Sequence, residues 1–238
     1  MKIRYYQERV YNWQRDVAAQ PVTKTPTQRD PEFCKQQLGF TKSEWFEEYL
    51  VHASLYHSTL GNLPKSRIDG LLKKIDQLRS LIADDIGDVA FTILGLLNAY
   101  GVTLDRVTFG RATAMAVYPL EVRISEFLEN VGSEDRVSEA DAKSALLDLM
   151  ALSTYFSINF WAALEAVCAS NDTKLWTLPE VHDNELKIQS LGWTETKVAG
   201  VTSVRCHRVK NSAGKLIKSP SFVEPDLKVA LTNFVSLT

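Results

Sequence analysis

Two pairs of acidic residues on separate segments could together hold a divalent cation. Glu44 and Glu47 lie three residues apart, and so do Asp85 and Asp88. Residues three apart lie on one face of a helix, so each pair presents two carboxylates side by side. Carboxylates are hard oxygen ligands that suit Mg²⁺, an ion that also binds substrate phosphates. The sequence therefore predicts a Mg²⁺ site at these four residues, with Mn²⁺ as the alternative ion.

Helices are expected to carry both pairs. The apolar residues after Asp88 cover nearly the whole circumference of a helix that should end near Gly101, so we expect it to be buried. Carboxylates that lead into such a helix are costly unless something neutralises them. Thr41-Lys-Ser-Glu44 matches a capping box, which predicts the start of a helix running to about Leu60. Glu44 therefore has a second interpretation, as a capping residue on an exposed first turn.

The order of the motifs resembles that of the all-α nucleoside triphosphate pyrophosphohydrolases. These are the MazG-like enzymes, related to dimeric dUTPases and phosphoribosyl-ATP pyrophosphohydrolases, whose metal signature is Glu-x-x-Glu followed by an acid-x-x-Asp. Three more segments are similar to those of the phage-type members: Trp13–Val22 with the following Thr25-Pro26, Ser170–Leu175, and Gly214–Leu227. The middle segment looks like the family's Asn-x-x-Lys phosphate-side motif.

The resemblance implies an antiparallel helical bundle and a defined chemistry. The reaction would be hydrolysis of a (deoxy)nucleoside triphosphate to the monophosphate and pyrophosphate, for control of nucleotide pools. Glu44, Glu47 and Glu48 are the candidate catalytic residues, since a glutamate could take the proton of the attacking water. Asn171 and Lys174 would bind substrate, with Lys174 contacting phosphate as a point charge.

Some of these residues have other interpretations. The family usually has Glu where this chain has Asp85, so the alternative function is a non-catalytic descendant that binds a nucleotide or a protein partner. Asn171 could equally be a helix C-cap. His52 and His57 are expected to be ordinary polar or packing residues.

Two further groups also have a functional and a structural interpretation. Aromatic residues could contact a base, although core packing is the favoured interpretation; they are Trp13, Phe33 and Phe40. Basic residues before the second acid pair could form a wall over a triphosphate, although a solvated face is favoured; they are Arg67, Lys73, Lys74 and Arg79.

The second half of the chain looks like a degenerate copy of the first. Glu126-x-x-Glu129 repeats the first acid pair, and Ala145-x-x-Asp148 repeats the second with one acid lost. We predict repeats at 1–105 and 106–178, with chance similarity between amphipathic helices as the alternative. The first repeat would supply the acids and the second the phosphate-side residues, which gives one site per chain.

The remaining residues predict a small appendage at 179–238. Pro and Gly residues interrupt this region, and β-type patterns flank residues 211–214 on both sides. Together they indicate a β-hairpin followed by a proline-bearing loop. The helical domain would then span 1–178.

Composition limits the classes of protein. The chain has 238 residues, 45% of them hydrophobic, and a formal net charge of -2. This balance gives no electrostatic case for binding nucleic acid or a membrane. A polar start and three unclustered cysteines predict a cytoplasmic protein with reduced thiols, in the host cytoplasm if phage-encoded. The sequence leaves the oligomeric state open, with a homodimer or a higher homo-oligomer possible.

Overall fold

The computed structural model describes residues 2–61, 68–104, 117–198, 204–212 and 214–232, and they form a mostly helical protein. The prediction of a mainly helical fold is therefore confirmed. The α-helices of the described residues are α1 (Lys2–Asn12), α2 (Pro31–Ser43), α3 (Leu50–Gly61), α4 (Ile68–Tyr100), α5 (Val117–Glu134), α6 (Glu139–Tyr155), α7 (Phe160–Asp172), α8 (Leu178–Asp183), α9 (Glu185–Ser190) and α10 (Lys228–Thr232). A π-helical turn at Trp13–Val17 extends α1, and another at Glu44–Tyr49 joins α2 to α3.

Helix α4 is the element against which most of the other long helices pack. It contacts α1, α2, α3, α6 and α7. From Val89 to Leu97 its side chains are buried with the exception of Thr92. The prediction of a helix with an apolar circumference ending near Gly101 is confirmed, and this burial makes α4 a rigid base for the acids at its centre.

The first acid pair lies in the middle of a helix. The helix begins at Asp30, whose side chain accepts a hydrogen bond from a first-turn backbone N–H, and it runs without interruption to Gly61. The predicted capping box is therefore wrong. Thr41 Oγ1 donates instead to the carbonyl oxygen of Gln37 at 3.0 Å, one turn back in α2. The capping interpretation of Glu44 is wrong for the same reason.

Gly87 lets α7 approach α4 closely beside the acids. A Cβ atom at this position would lie 2.6 Å from Cγ2 of Val167 and 2.9 Å from the carbonyl oxygen of Ala163. Both contacts are shorter than atoms tolerate, so any larger residue would force the helices apart. The glycine inside the acidic motif therefore sets the distance between the acids and the end of α7.

A three-stranded antiparallel sheet forms the C-terminal part. Its strands are β1 (Trp176–Thr177), β2 (Thr194–Lys197) and β3 (Arg205–Lys210), in the order β1-β3-β2. The turn predicted after residue 210 is present, and Lys210 pairs with Leu216 in an isolated bridge. The predicted hairpin is thus part of a larger sheet, because β3 pairs with strands that precede it in the chain.

Specific hydrogen bonds dock this sheet and the following loop on the helices. Arg208 donates from Nε to the carbonyl oxygen of Val17 at 2.6 Å and from Nη2 to that of Asp16 at 3.0 Å. Ser219 Oγ donates to the carbonyl oxygen of Thr173 at 3.0 Å. These bonds satisfy carbonyl groups at two helix ends and hold the sheet and its following loop against them.

No helix in the described ranges has both the length and the apolar character that crossing a membrane requires. The division into repeats at 1–105 and 106–178 stays a prediction. Part of Gly61–Pro64, predicted as a helix break, and Arg67 lie outside the described residues.

Candidate functional site

Five carboxylates from two helical elements come together beside the centre of α4. The π-helical turn contributes Glu44 and Glu48, and α4 contributes Asp84, Asp85 and Asp88. The charge of Glu44 acts on Asp88, and the charge of Glu48 acts on both Asp84 and Asp85. We call these five residues the carboxylate cluster.

The π-helical turn explains why Glu48 joins the cluster and Glu47 does not. In this turn a backbone N–H donates to the carbonyl oxygen of Trp45 from five residues further on. Such a wide turn aligns residues four or five apart, so Glu44 and Glu48 share a face. Glu47 is exposed and accepts a hydrogen bond from Ser43 Oγ at 2.8 Å. Its predicted catalytic and metal roles have no support from this position, and they stay predictions.

His52 is a member of the site that the sequence interpretation missed. Its Nδ1 lies 2.7 Å from Oδ2 of Asp85. Ligand atoms of Glu48, His52 and Asp85 all lie within 4.8 Å of one another, a spacing at which one metal ion could be held. The spacing of four between Glu48 and His52 was the visible signal, since it places both on one helix face. His57 instead packs near the ring of Phe156, as predicted.

Burial makes the charged forms of Glu44, Asp84, Asp85 and Asp88 unfavourable. It raises the pKa of Asp85 to about 7, although the hydrogen bond from His52 opposes the shift. It also raises the pKa of Asp88 well above its ordinary value, and the charges of Glu44 and Asp84 add to this effect. The pKa values of Glu44 and Asp84 are raised mainly by burial as well. The protein thus holds several acids at a place where a bound positive ion would offset the free-energy cost of burying their charges.

The donor set fits a divalent cation. Asp84 Oδ1 is buried, and within the described part of the chain it has no hydrogen-bond partner. Carboxylates of Glu44, Asp84 and Asp88 are the oxygen donors that Mg²⁺ and Mn²⁺ prefer, and the imidazole of His52 also accepts transition metals. The donors therefore suit Mg²⁺ without excluding Mn²⁺.

A cavity of about 170 Å³ connects the cluster to the residues predicted to bind phosphate. Glu44, Asp88, Asn171 and Lys174 all line it. The charge of Asp88 acts on Lys174, whose pKa is lowered mainly by burial. The structure therefore brings together acids and phosphate-side residues that lie far apart in the sequence.

Asn171 faces this cavity from inside α7. The C-cap of α7 is Thr173, so the interpretation of Asn171 as the C-cap is wrong. Asn171 is buried, and its carbonyl oxygen accepts a hydrogen bond from Trp13 Nε1 at 3.1 Å. The Lys174 ammonium lies 5.8 Å from the centroid of the Trp13 ring. The tryptophan therefore helps to position both residues.

Amide and aromatic side chains also line the cavity. Trp13 and Phe40 border it, whereas Phe33 is buried in the main core. Gln14 Nε2 donates to Gln37 Oε1 at 3.1 Å. Gln20 Oε1 also borders the cavity and is buried, with no hydrogen-bond partner among the described residues. This end could therefore receive a flat polar ring.

Of the basic residues before the second acid pair, the three that the structure describes, Lys73, Lys74 and Arg79, do not form a wall over the site. Arg79 donates to the carbonyl oxygens of Phe156 and Ser157 at 3.0 and 2.9 Å, at the end of α6. Lys73 and Lys74 are exposed, as expected for a solvated face.

The acids of the second half have partners or face solvent. Arg123 binds Asp148 with two hydrogen bonds, at 2.8 and 2.6 Å. Glu129 is exposed and pairs with Lys42 at 3.0 Å, and Glu126 is exposed. Asp148 is already neutralised by an arginine, unlike the acids of the carboxylate cluster.

Comparisons of this chain with models of protein families, with curated proteins and with solved structures found no match.

Proposed function

We propose that this protein is a Mg²⁺-dependent nucleoside triphosphate pyrophosphohydrolase with a MazG-like helical bundle. The cavity shared by Glu44, Asp88, Asn171 and Lys174 carries the proposal. The carboxylates of Glu44 and Asp88 suit a cation. The buried ammonium of Lys174 and the amide of Asn171, which line the same cavity, suit phosphate. A nucleoside triphosphate with its bound cation combines both charges in one ligand.

Each part of the site has a role in the proposed reaction. Mg²⁺ would be held by acids of the carboxylate cluster: ligand atoms of Glu48 and Asp85 lie within 4.8 Å of each other and of His52, and Glu44, Asp84 and Asp88 would be the adjoining donors. Mg²⁺ supplies neutralisation of phosphate charge and a lowered pKa of a bound water.

The protein side chains would perform the remaining steps. Glu44 or Glu48 accepts the proton of the attacking water, since both carboxylates belong to the cluster and neither is in an ion pair within the described residues. Lys174 contacts the phosphates, where its charge stabilises the leaving pyrophosphate. Asn171 donates a hydrogen bond to phosphate or sugar. The base lies at the amide and aromatic end, beside Phe40.

A panel of nucleotides tests this proposal. The protein is incubated with each common NTP and dNTP and Mg²⁺, and the products are separated by anion exchange. Formation of a monophosphate together with pyrophosphate from at least one nucleotide is expected. Tight nucleotide binding without turnover in the whole panel would favour the non-catalytic alternative, and neither binding nor turnover would contradict both functions.

A further inference from the structure

Three lysines border the cavity that the carboxylate cluster also borders. Lys174 follows α7, Lys210 ends β3, and Lys215 lies in the turn after β3. In the described part of the chain none of the three forms an ion pair. The charge of Lys215 reaches Glu44 and Lys174 without direct contact with either. Three lysines and two of the acids, Glu44 and Asp88, thus border one cavity.

The backbone fixes the direction of the two lysines that come from the sheet. The amide of Lys215 donates to Oδ1 of Asn211 at 2.9 Å, and the amide of Asn211 donates to the carbonyl oxygen of Lys215 at 3.0 Å. Gly214 has a φ of 76°, which favours glycine in this turn. Arg208, two residues before Lys210, binds the end of the π-helical turn after α1. The lysines are therefore held on a docked and hydrogen-bonded element.

The acids and the lysines that line the cavity require different partners. A metal ion alone would neutralise the acids but would add its own repulsion to each of the lysines. Burial already lowers the pKa of Lys210, and the charge of Arg208 adds to the effect. A polyphosphate with a bound cation provides opposite charges for both sets of side chains, because its cation can face the acids while its oxygens accept hydrogen bonds from the lysine ammonium groups.

We propose that Lys210 and Lys215 bind the polyphosphate of the substrate, so that the C-terminal sheet forms part of the substrate site. This inference rests on the proposed function for the identity of the ligand as a nucleotide. The two lysines would hold the phosphates that leave as pyrophosphate, opposite the acids, and Lys174 would lie between them and α4.

Binding of inorganic pyrophosphate tests the inference without any turnover. Calorimetry is performed on the full chain with MgCl₂ and pyrophosphate, using wild type, Lys210→Ala, Lys215→Ala and the double variant. Lys197→Ala is the matched control, since Lys197 is an exposed lysine on β2 of the same sheet. We expect the double variant to bind pyrophosphate at least about tenfold more weakly, because it loses two charge-assisted hydrogen bonds to phosphate oxygens. The control should bind like wild type, and Mg²⁺ binding without pyrophosphate should not weaken in any variant.

The outcomes separate this inference from the proposed function. Wild-type affinity in the double variant would overturn the role of the lysines and leave the proposed function standing. Lysine-dependent binding of pyrophosphate in a protein that hydrolyses no nucleotide would retain the polyphosphate site and remove the proposed function. No binding by the wild type in the presence of Mg²⁺ would overturn both. If an alanine variant does not fold, as judged by circular dichroism, Lys210→Gln and Lys215→Gln replace it with the same expectations.

Discussion

Asp85→Asn should make the metal-free protein more stable, although it alters the proposed metal site. The pKa of Asp85 is raised from 3.8 to about 7, mainly by burial. The difference is about 3 pKa units, and each unit corresponds to about 1.36 kcal/mol. Ionised Asp85 therefore destabilises the metal-free folded state by about 4 kcal/mol above neutral pH. Asn has nearly the same shape and does not ionise, so the variant should avoid most of this cost.

The pH dependence of folding stability gives the direction of the effect of Asp85. The folded protein keeps the Asp85 proton up to about pH 7, whereas the unfolded chain loses it near pH 3.8. The folded state therefore binds more protons in this window, and the stability of the wild type falls as the pH rises. The stability advantage of the variant should widen through the window and become constant above it.

Urea denaturation in EDTA at several pH values measures this advantage. Added Mg²⁺ should then stabilise the wild type more than the variant, because the ion offsets the charge that Asn lacks. Asp148→Asn is the control: Asp148 is a buried aspartate bound by Arg123, so its replacement should not stabilise the protein. An Asp85→Asn variant no more stable than the wild type at pH 8 in EDTA would refute the reasoning.

Other variants test further parts of the site. Asp88→Asn should lower turnover by at least about 100-fold with the fold retained, as loss of a metal ligand commonly does; steady-state kinetics and circular dichroism check this. Lys174→Ala should raise KM or lower kcat in the same assay, and unchanged values of both would contradict a phosphate contact. Glu48→Gln should reduce turnover far more than Glu47→Gln, because only Glu48 faces the cluster; equal losses would count against the π-helical arrangement. Gly87→Ala should destabilise the protein by about 1–3 kcal/mol in urea denaturation, since the added methyl group overlaps α7.

The sequence predicted the helical fold, and four of its candidate site residues line the cavity: Glu44, Asp88, Asn171 and Lys174. Asp85 and Asp88 follow from spacing on a helix that its apolar circumference identifies as buried. Asn171 and Lys174 came from a short motif, and their approach to Asp88 depends on the contact that Gly87 allows between α4 and α7. That approach is a tertiary contact between segments far apart in the sequence. Residue spacing alone could not predict it, whereas the resemblance to a family with a known arrangement could indicate it.

Several errors have local physical causes. The pattern at Thr41–Glu44 matches a capping box, but α2 had already begun at Asp30 and the apolar packing of Trp45 continues the helix. Glu47 was favoured by a spacing of three, which applies to an α-helix and not to a π-helical turn. The spacing of four places His52 on the helix face of Glu48, but its contact with Asp85 joins two helices, and no local pattern could establish that contact.

The contribution of the C-terminal sheet was also beyond prediction from local pattern. The turn at 211–214 was recognised from its residues. The position of Lys215 over the cavity depends on Arg208, which binds carbonyl oxygens almost two hundred residues earlier in the chain. Contacts of this sequence separation are decided by the packing of whole elements.

The most direct test of the central claim follows the phosphorus atoms of one nucleotide during the reaction. Phosphorus NMR is recorded on the best substrate of the panel, with Mg²⁺ and either wild type or Asp88→Asn. We predict that the wild type produces monophosphate and pyrophosphate in equal amounts, that EDTA stops the reaction, and that the variant yields little of either product. Release of orthophosphate with a nucleoside diphosphate, or undiminished turnover by the variant, would contradict the account.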